Sequence, residues 1–572
     1  MTNNLKPLNN QQKKTDLETQ INTLDLPNQL NLVLTAPWEK RFEIISSSEQ
    51  AGQIVANMPV EELFWTIKAT GIEDSSIVLS LATPEQLQFI FDLDWWHKDR
   101  LKPEKIAAWL LVMFELSVQG LRNWLKWILN RDPWLFPAIL NEFITVVKRP
   151  DEMDIQEAKD RLPAFTLDNV YFIDFKKKKL APLFIRLITD MVEMDVGKYR
   201  DILETMLWET PSHNLETAYR LRCGRIGDFG VPDYYQSLDI YVPISKEEMH
   251  VIELHNSPLA RLPVNYDMPA FVPTLYVSGY PALEYAVRML AGNPVMERIV
   301  RETTGVANKI LMADLVDLDE PENLKMALEK AFSLINLGIE KLSELSGKAP
   351  EEILKSHYLE EIARFSSGLL LPFGDKARKI TSGPYYKVLP HRLKDVVEAA
   401  SLRPSMLFDI STGLPKSVKH LDELKRLEFL LSEASAWSKV VPFLEPSFEK
   451  WPSKIKWEET NFLAPEEFSV DSALATAVTN LITKTRFQVT PLDREELEAL
   501  YERLSGMGKE ETFGLLKELL EPLCAKDDSG LKEEELSETI LPYLVEVFSE
   551  LVTEGKRALN EPQYIKHILV KT

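Results

Sequence analysis

Several features that mark enzymes and secreted proteins are scarce in this 572-residue sequence. Its only two cysteines, Cys223 and Cys524, lie far apart, which gives neither a disulfide framework nor a metal knuckle and fits a reducing compartment. The eight histidines are scattered, and only His250 and His255 lie close together. The motifs H-E-x-x-H and G-x-S-x-G are absent. Local signatures of thiol, zinc and serine-hydrolase chemistry are therefore missing.

Positive charge is also in deficit. The chain carries 66 Lys and Arg against 88 Asp and Glu, a net charge of −22. Nucleic-acid binding requires a basic footprint, and anionic membrane surfaces attract basic segments, so neither nucleic acid nor membrane is an expected partner. The acidity increases toward the C-terminus, where Pro491 to Thr572 contain 10 basic and 19 acidic residues. Basic proteins or divalent cations fit this charge better.

Long apolar runs are missing as well. The most apolar stretch, Ala107 to Val118, includes Glu115 and is shorter than the roughly 20 residues that span a bilayer. Met1 to Lys14 are polar and lack the apolar core of a signal peptide. We therefore expect a cytoplasmic protein without membrane insertion. No cofactor is predicted, because no cofactor-binding motif is found.

Helix signals dominate what is present. Pro59, Pro84 and Pro103 are each followed within two residues by glutamate. Proline is tolerated in the first turn of a helix, and a glutamate there interacts favourably with the helix dipole. Recurrence at about 20 to 25 residues is typical of stacked short helices. The pattern predicts a superhelical array near the N-terminus.

The expected fold is mainly α, a multi-domain helical array with one small β element. Phe165 to Phe175 predict that element, with Asp168-Asn169 as its turn. An apolar stripe from Leu324 to Leu342 predicts a helix, with Asp319 and Glu322 as its capping box and Gly347 as its end. Leu371 to Tyr386, which contain two prolines and two glycines, predict a loop-rich break. The predicted division is a flexible leader (1–45), a superhelical helix-repeat domain (46–150), a mixed segment with the β element and a Gly-rich bend (151–270), a helical domain (271–440), a Pro-rich linker (441–465) and an acidic helical C-terminal domain (466–572).

Two polar clusters are candidate sites. Asp92, Asp94 and Asp99, with His97 between them, could bind a divalent cation. Trp95 and Trp96 interrupt this set, and the spacing of a calcium loop is absent, so a capped helix end is the alternative.

The second cluster surrounds Gly224, Gly227 and Gly230, whose G-x-x-G-x-x-G spacing matches neither a dinucleotide fingerprint nor a Walker loop. One interpretation is a tight turn between helices, with its arginines paired to acidic neighbours. The other is a site for an anion or a partner, formed by Arg222, Arg225, Asp228, Asp233 and Tyr234.

Two resemblances accompany these patterns. Met58–Leu63 and Ala82–Leu87 make residues 46–130 similar to the cytosolic, superhelical N-terminal domain of MgtE-type magnesium transporters. Nearly the whole chain resembles an uncharacterised bacterial family, a domain of unknown function. The segments that carry this resemblance are Phe91–Trp96, Phe165–Tyr171, Tyr219–Ile244, Ala307–Asp314 and Arg403–Phe408. The family implies a mainly helical protein and no assigned activity.

The function favoured by the sequence is a non-enzymatic scaffold or adaptor that binds an unidentified protein partner or a second copy of itself. One alternative is an enzyme with an inter-domain site near Arg222 to Tyr235. The other is a divalent-cation-responsive regulator, by analogy with the transporter domain.

Overall fold

The structure, a computed structural model, describes residues 18–116, 118–249, 279–444, 455–462, 464–524, 530–554, 561 and 565–572. Helices dominate these residues, and their strands form only two-stranded antiparallel sheets. The predicted fold class, mainly α with several domains, is confirmed. A search of the described helices finds none with the length and apolar character required to cross a membrane.

The chain divides into two compact units. The first comprises Met1–Val242, His250–Phe332 and Glu351–Ala363. The second comprises Pro243–Met249, Ser333–Pro350 and Arg364–Thr572. The six-part division made from the sequence stays a prediction.

The first unit begins with short helices. Helices α1 to α7 are Leu26–Thr35, Trp38–Ser46, Ala51–Asn57, Val60–Thr70, Ser76–Leu81, Pro84–Asp94 and Pro103–Leu116, and strands β1 (Trp96–His97) and β2 (Arg100–Leu101) lie between the last two. The predicted helix starts are confirmed, since α4 follows Pro59 directly and α6 and α7 begin at Pro84 and Pro103. Thr83 and Gln86 form a capping box that fixes the start of α6.

The predicted leader includes two of these helices. Residues 1–17 lie outside the described part of the chain, but α1 and α2 occupy most of residues 26–45. The Asp25 carboxylate accepts the Asn28 N–H at 3.1 Å and caps α1. Val33 and Ile45 are completely buried, so this segment packs against the first unit.

The predicted β element is confirmed. The next elements are α8 (Val118–Arg131), α9 (Leu135–Phe143), β3 (Ile144–Lys148), α10 (Ile155–Arg161) and β4 (Tyr171–Phe175), and β3 pairs with β4. The turn before β4 lies at the expected residues. Asn169 has a positive φ of 58°, and the Asp168 carboxylate accepts the N–H groups of Val170 and Tyr171.

Aromatic side chains form the centre of the N-terminal helices. The Phe91 ring stacks on Trp95 with centroids 4.1 Å apart, and it meets Trp109 and Trp124 edge to face. All four side chains are almost completely buried. Because Phe91 and Trp95 are four residues apart, one face of α6 presents both rings to α7 and α8.

The rest of the first unit is helical. It contains α11 (Ala181–Met194), α12 (Val196–Trp208), α13 (Pro211–Gly227), α14 (Tyr234–Ser237), α15 (Pro281–Met289), α16 (Val295–Ala313) and α18 (Pro350–Ser356). Helices α17 (Pro321–Ser346) and α19 (Leu359–Thr381) contribute residues to both units. The apolar stripe of α17 is confirmed, since Leu324, Ile335 and Ile339 are buried, and Gly347 with φ of 70° follows its end.

The second unit contains α20 (His391–Ser401), β5 (Met406–Asp409), β6 (Leu414–Ser417), α21 (Leu421–Leu444), α22 (Val470–Lys484), α23 (Arg494–Leu504), α24 (Lys509–Cys524), α25 (Glu533–Glu535) and α26 (Leu541–Glu554). The loop-rich break predicted at Leu371 to Tyr386 is wrong, because α19 continues to Thr381 with Pro372 inside it. Burial of Leu370 and Ala377 offsets the cost of that proline, about 3 kcal/mol.

The Pro-rich segment at residues 441–465 was predicted as a linker. Its first four residues end α21, and residues 445–454 and 463 lie outside the described part. Ile455, Phe462 and Phe468 belong to a buried cluster with Leu569, so the chain is anchored on both sides of residue 463. The linker stays a prediction.

Candidate functional site

The structure separates the three predicted metal ligands. Asp92 and Asp94 are two residues apart on α6, so their side chains point about 200° apart around the helix axis. Asp99 is partly exposed in the turn between β1 and β2. Within the described ranges, no group of three or more His, Cys, Asp or Glu side chains could hold a metal ion.

Asp92 instead belongs to a buried ion-pair network. Arg225 holds its carboxylate with two bonds, from Nε to Oδ2 at 2.6 Å and from Nη2 to Oδ1 at 2.9 Å. The third nitrogen, Nη1, binds Oδ2 of Asp132 at 2.6 Å. Burial raises the pKa of Asp92, although Arg225 opposes that change. One arginine of α13 thus connects α6 to the residue that follows α8.

Arg222 is enclosed beside this network. Its Nε donates to the backbone oxygen of Asp92 at 2.6 Å, and its guanidinium lies 5.4 Å from the Trp96 ring and 5.8 Å from the Tyr219 ring. The residue is 1% exposed, and burial lowers its pKa. Both arginines of the predicted anion site thus make internal contacts, and Nη1 of Arg222 is buried without a hydrogen-bond partner among the described residues.

The other residues of that predicted site have separate positions. Asp233 caps α14 by accepting the N–H groups of Tyr235 and Gln236. The Tyr234 ring lies 5.0 Å from Lys98 Nζ, and Asp228 directly follows α13. Tyr219 lies between Asp233 and Arg222, since its hydroxyl donates to Asp233 Oδ1 at 3.4 Å and its ring lies 5.8 Å from the Arg222 guanidinium.

The bend itself occupies the end of the Gly-rich segment. Gly224 and Gly227 belong to α13, and only Gly230, with φ of 70°, lies in the turn. The predicted turn between helices is present at residues 228–230, after Gly224 and Gly227, because helical hydrogen bonds continue to Gly227. The side-chain amide of Asn308 donates to the Gly230 carbonyl at 3.1 Å, which fixes the bend against α16.

A second buried network involves Asp94. Its Oδ1 accepts from Lys68 Nζ at 2.7 Å, and its Oδ2 accepts from the indole N–H of Trp109. Lys68 also binds Asp319 at 2.6 Å, and Lys105 pairs with the other oxygen of Asp319. Partial burial of Asp319 acts to raise its pKa, but the two lysines outweigh that effect and lower it to about 2. The Asp319 N–H donates to Asp317 Oδ1 at 3.1 Å, and the capping box of Asp319 with Glu322 stays a prediction.

A cavity of about 410 Å3 lies beside the bend. Its walls come from the bend, from one face of α16 and from the start of α19, and its lining residues are Gly227, Gly230, Val231, Pro232, Gln236, Arg301, Glu302, Gly305, Val306, Lys309, Tyr358 and Glu360. Arg301, Gly305 and Lys309 lie four residues apart, so they follow one face of the helix. A Cβ atom added to Gly305 would meet no atom within 4 Å. The middle of this face is therefore open.

Glu302 lines this cavity, and its pKa departs from the ordinary value of a glutamate. Its Oε2 accepts the Leu359 N–H at 2.9 Å, at the start of α19. Its Oε1 is buried and lies 3.5 Å from Nε of Arg298, without a hydrogen bond among the described residues. Burial raises the pKa of Glu302 to about 7, with Glu361 and Glu360 adding to the change and Arg298 opposing it. No signal in the sequence marked this residue, because Leu359, whose N–H it accepts, lies 57 positions away.

An exposed apolar surface lies in the second unit. The strands β5 and β6 form a hairpin, and Ile410 and Leu414 at its tip are 79% and 64% exposed. The turn is well ordered by local bonds, since Asp409 Oδ1 accepts from the Ser411 N–H at 2.9 Å and its hydroxyl at 2.7 Å. The Gly413 N–H donates to the Asp409 carbonyl at 2.8 Å. We call Ile410 and Leu414 the hairpin tip.

The fold and these sites define a mainly helical protein of two compact units, in which ion pairs engage Asp92, Asp94 and Arg225 of the predicted polar clusters. The sequence matches a family of unknown function, DUF6178, over residues 18–571, and the chain belongs to that family. No curated protein and no solved structure matches it. The comparisons support the resemblance over nearly the whole chain and give no support to the magnesium-transporter resemblance of residues 46–130.

Proposed function

We propose that the protein is a non-enzymatic helical scaffold or adaptor that binds another protein through the hairpin tip. The observation that carries this proposal is the exposure of two aliphatic side chains, Ile410 and Leu414, four positions apart at the end of an ordered hairpin. Isolated exposed apolar residues are normal on protein surfaces, whereas neighbouring ones on a fixed loop resemble the anchors of interfaces.

The order of the turn favours binding. The bonds of Asp409 to Ser411 and Gly413 hold the tip in one conformation before any partner arrives. The bonds from Ser411 also lower the pKa of Asp409. A preformed loop loses little conformational entropy when it docks, which leaves more of the apolar burial as affinity.

The exposed side chains of the hairpin tip and the net charge of the chain favour one kind of partner. A protruding tip with two aliphatic side chains fits a concave apolar pocket on the partner. Pro415 lacks an N–H group and weakens β6 as a template for an added strand. The net charge of −22 favours a partner whose pocket is surrounded by basic residues.

Co-purification with matched variants tests the proposal. The variant Ile410→Asp/Leu414→Asp removes the apolar surface, and Thr412→Asp adds charge to the same turn without removing it. Proteins captured through the tip should fall at least about tenfold in the double variant, since anchor residues contribute more than about 1.4 kcal/mol, and stay unchanged in the control. Equal recovery with both variants would overturn the proposal. A size change of the purified chain confined to the double variant would identify the partner as a second copy.

A second candidate function is small-molecule binding at the cavity beside α16. It keeps the region expected for an enzyme site, Arg222 to Tyr235, because Gly227 to Pro232 contribute to the cavity wall, but it does not use the two enclosed arginines. The specific observation is Gly305 in the middle of a 19-residue helix, where glycine costs roughly 0.5–1 kcal/mol relative to alanine. No observation favours the third alternative, a divalent-cation-responsive regulator.

A further inference from the structure

We propose that the second unit contains a binding site for the phosphoryl group of a small molecule, in a pocket between the end of α19 and α21. The pocket has a volume of about 240 Å3. Its lining residues are Lys376, Lys379, Ile380, Gly383, Tyr385, Tyr386, Ser435 and Ser438. It is independent of the hairpin tip and of the cavity beside α16, with which it shares no lining residue.

Two lysines provide the charge of this pocket. Lys376 and Lys379 are three residues apart on α19, so both side chains lie on one face of the helix. Neither ammonium group pairs with a carboxylate among the residues that the structure describes. Lys376 Nζ instead donates to the Ser432 hydroxyl at 2.9 Å. Two positive charges thus face one pocket without a neutralising partner, in a chain with 22 excess negative charges.

The charged residues near Lys376 do not neutralise its ammonium group. Partial burial lowers the pKa of Lys376, and the nearby charge of Lys439 adds to this change. Glu428 and Glu535 act in the opposite direction but do not pair with it. Glu535 is held by Lys439, at 2.6 Å and 2.8 Å. A bound anion would restore the electrostatic balance that these carboxylates do not provide.

The opposite wall of the pocket offers hydroxyl groups. Ser435 and Ser438 are three residues apart on α21, and both line the pocket. Ser438 donates to the Ala434 carbonyl at 3.0 Å, whereas the Ser435 hydroxyl makes no hydrogen bond to the described residues. Ammonium and hydroxyl donors that converge from two helices suit an oxygen-rich anion.

The favourable position of a lysine near a helix C-terminus explains only part of this arrangement. Lys379 lies in the last turn of α19, where a positive charge interacts well with the helix dipole. That effect does not account for the partial burial of Lys376 or for the serine hydroxyls opposite. The two ammonium charges match a phosphate dianion, and the side chains of Ile380 and Tyr385 provide an apolar wall for the group that carries it.

Phosphorus-31 NMR of the full chain tests the site at constant ionic strength, with inorganic phosphate and a nucleoside monophosphate as probes and the matching nucleoside as the control. Saturable broadening is expected for at least one phosphorus probe, with competition between the two. Tighter binding of the monophosphate would show that the apolar wall contributes. Equal binding would identify phosphate itself as the ligand, and the nucleoside alone should not compete. No saturable broadening with either probe overturns the proposal, as does competition by the nucleoside alone.

Matched variants locate the site. Lys376→Gln should weaken binding by at least about tenfold, because it removes one charge-assisted bond. Lys387→Gln removes one exposed lysine outside the pocket and should leave affinity within about twofold. Ser435→Ala gives an independent reading if Lys376→Gln disturbs folding, with an expected loss of about threefold or more. If Lys376→Gln and Lys387→Gln weaken phosphate binding equally, the assignment is contradicted. It is also contradicted if neither Lys376→Gln nor Ser435→Ala changes the affinity.

Discussion

Glu302 makes the stability of the first unit depend on pH in a direction opposite to that of a carboxylate whose pKa is lowered on folding. Its pKa is about 7 in the folded chain, against a value of 4.5 without burial. The folded state therefore binds more protons than the unfolded state between those two values. Stability contributed by the protonated group is fully present below about pH 4.5 and is lost as the pH rises toward 7.

The substitution Glu302→Gln removes this titration and keeps the shape of the side chain. Its amide oxygen can still accept the Leu359 N–H, so the start of α19 keeps its cap. A pKa of about 7 in place of 4.5 lowers the free energy of unfolding by roughly 3 kcal/mol once the pH is above both values. About 2.5 kcal/mol of this loss occurs between pH 5 and pH 8.5. The side chain is 15% exposed, so solvent screening reduces this value only modestly.

The measurement is urea unfolding of the wild type and Glu302→Gln at both pH values, followed by hydrogen exchange in α16 and α19. Because the chain has two compact units, exchange in α16 and in residues 359–363 of α19, which belong to the first unit, assigns the effect to that unit. The variant should gain about 2 to 3 kcal/mol on the wild type as the pH rises from 5 to 8.5. An equal difference between the two proteins at both pH values would refute the reasoning.

Two further predictions concern the same unit. Gly305→Ala should raise the stability of α16 by roughly 0.5–1 kcal/mol, because the added Cβ meets no atom within 4 Å. Hydrogen exchange in α16 measures this change, and a loss of stability would contradict an open space beside Gly305. Arg225→Met should lower the free energy of unfolding in urea by about 3–5 kcal/mol, because it leaves Asp92 and Asp132 buried without their cation. The control Arg220→Met removes an exposed ion pair on the same helix and should cost less than about 1 kcal/mol. Similar losses for the two arginine variants would contradict the network.

Local signals were the predictable part of this fold. Pro84, Pro103 and the Asp168-Asn169 turn act through the residues beside them, so a single sequence was enough to place two helix starts and a β turn. Pro372 and Gly374 gave the wrong prediction because long-range packing outweighs them. A Cβ on Gly374 would lie 2.9 Å from the Ser405 hydroxyl, so glycine permits close packing of this helix rather than a break.

The candidate sites depended on contacts that no local pattern contains. Asp92 and Arg225 are 133 residues apart, and Lys68 and Asp319 are 251 residues apart. Asp92 and Asp94, predicted as metal ligands, take part in these two ion-pair networks between helices. The sequence did locate the region of the bend. The two arginines contact Asp92 of α6, whereas the cavity is lined by Gly227 and Gly230.

Photo-crosslinking from the hairpin tip tests the proposed function most directly. A photoreactive amino acid at position 410 should form an adduct with a partner protein, and Leu414→Asp in the same chain should abolish that adduct. The same group at Lys425, an exposed side chain outside the tip, is the control. An adduct specific to position 410 and lost with Leu414→Asp is the predicted result. Adducts that are equal at both positions, or that survive Leu414→Asp, would contradict the scaffold function proposed for this surface.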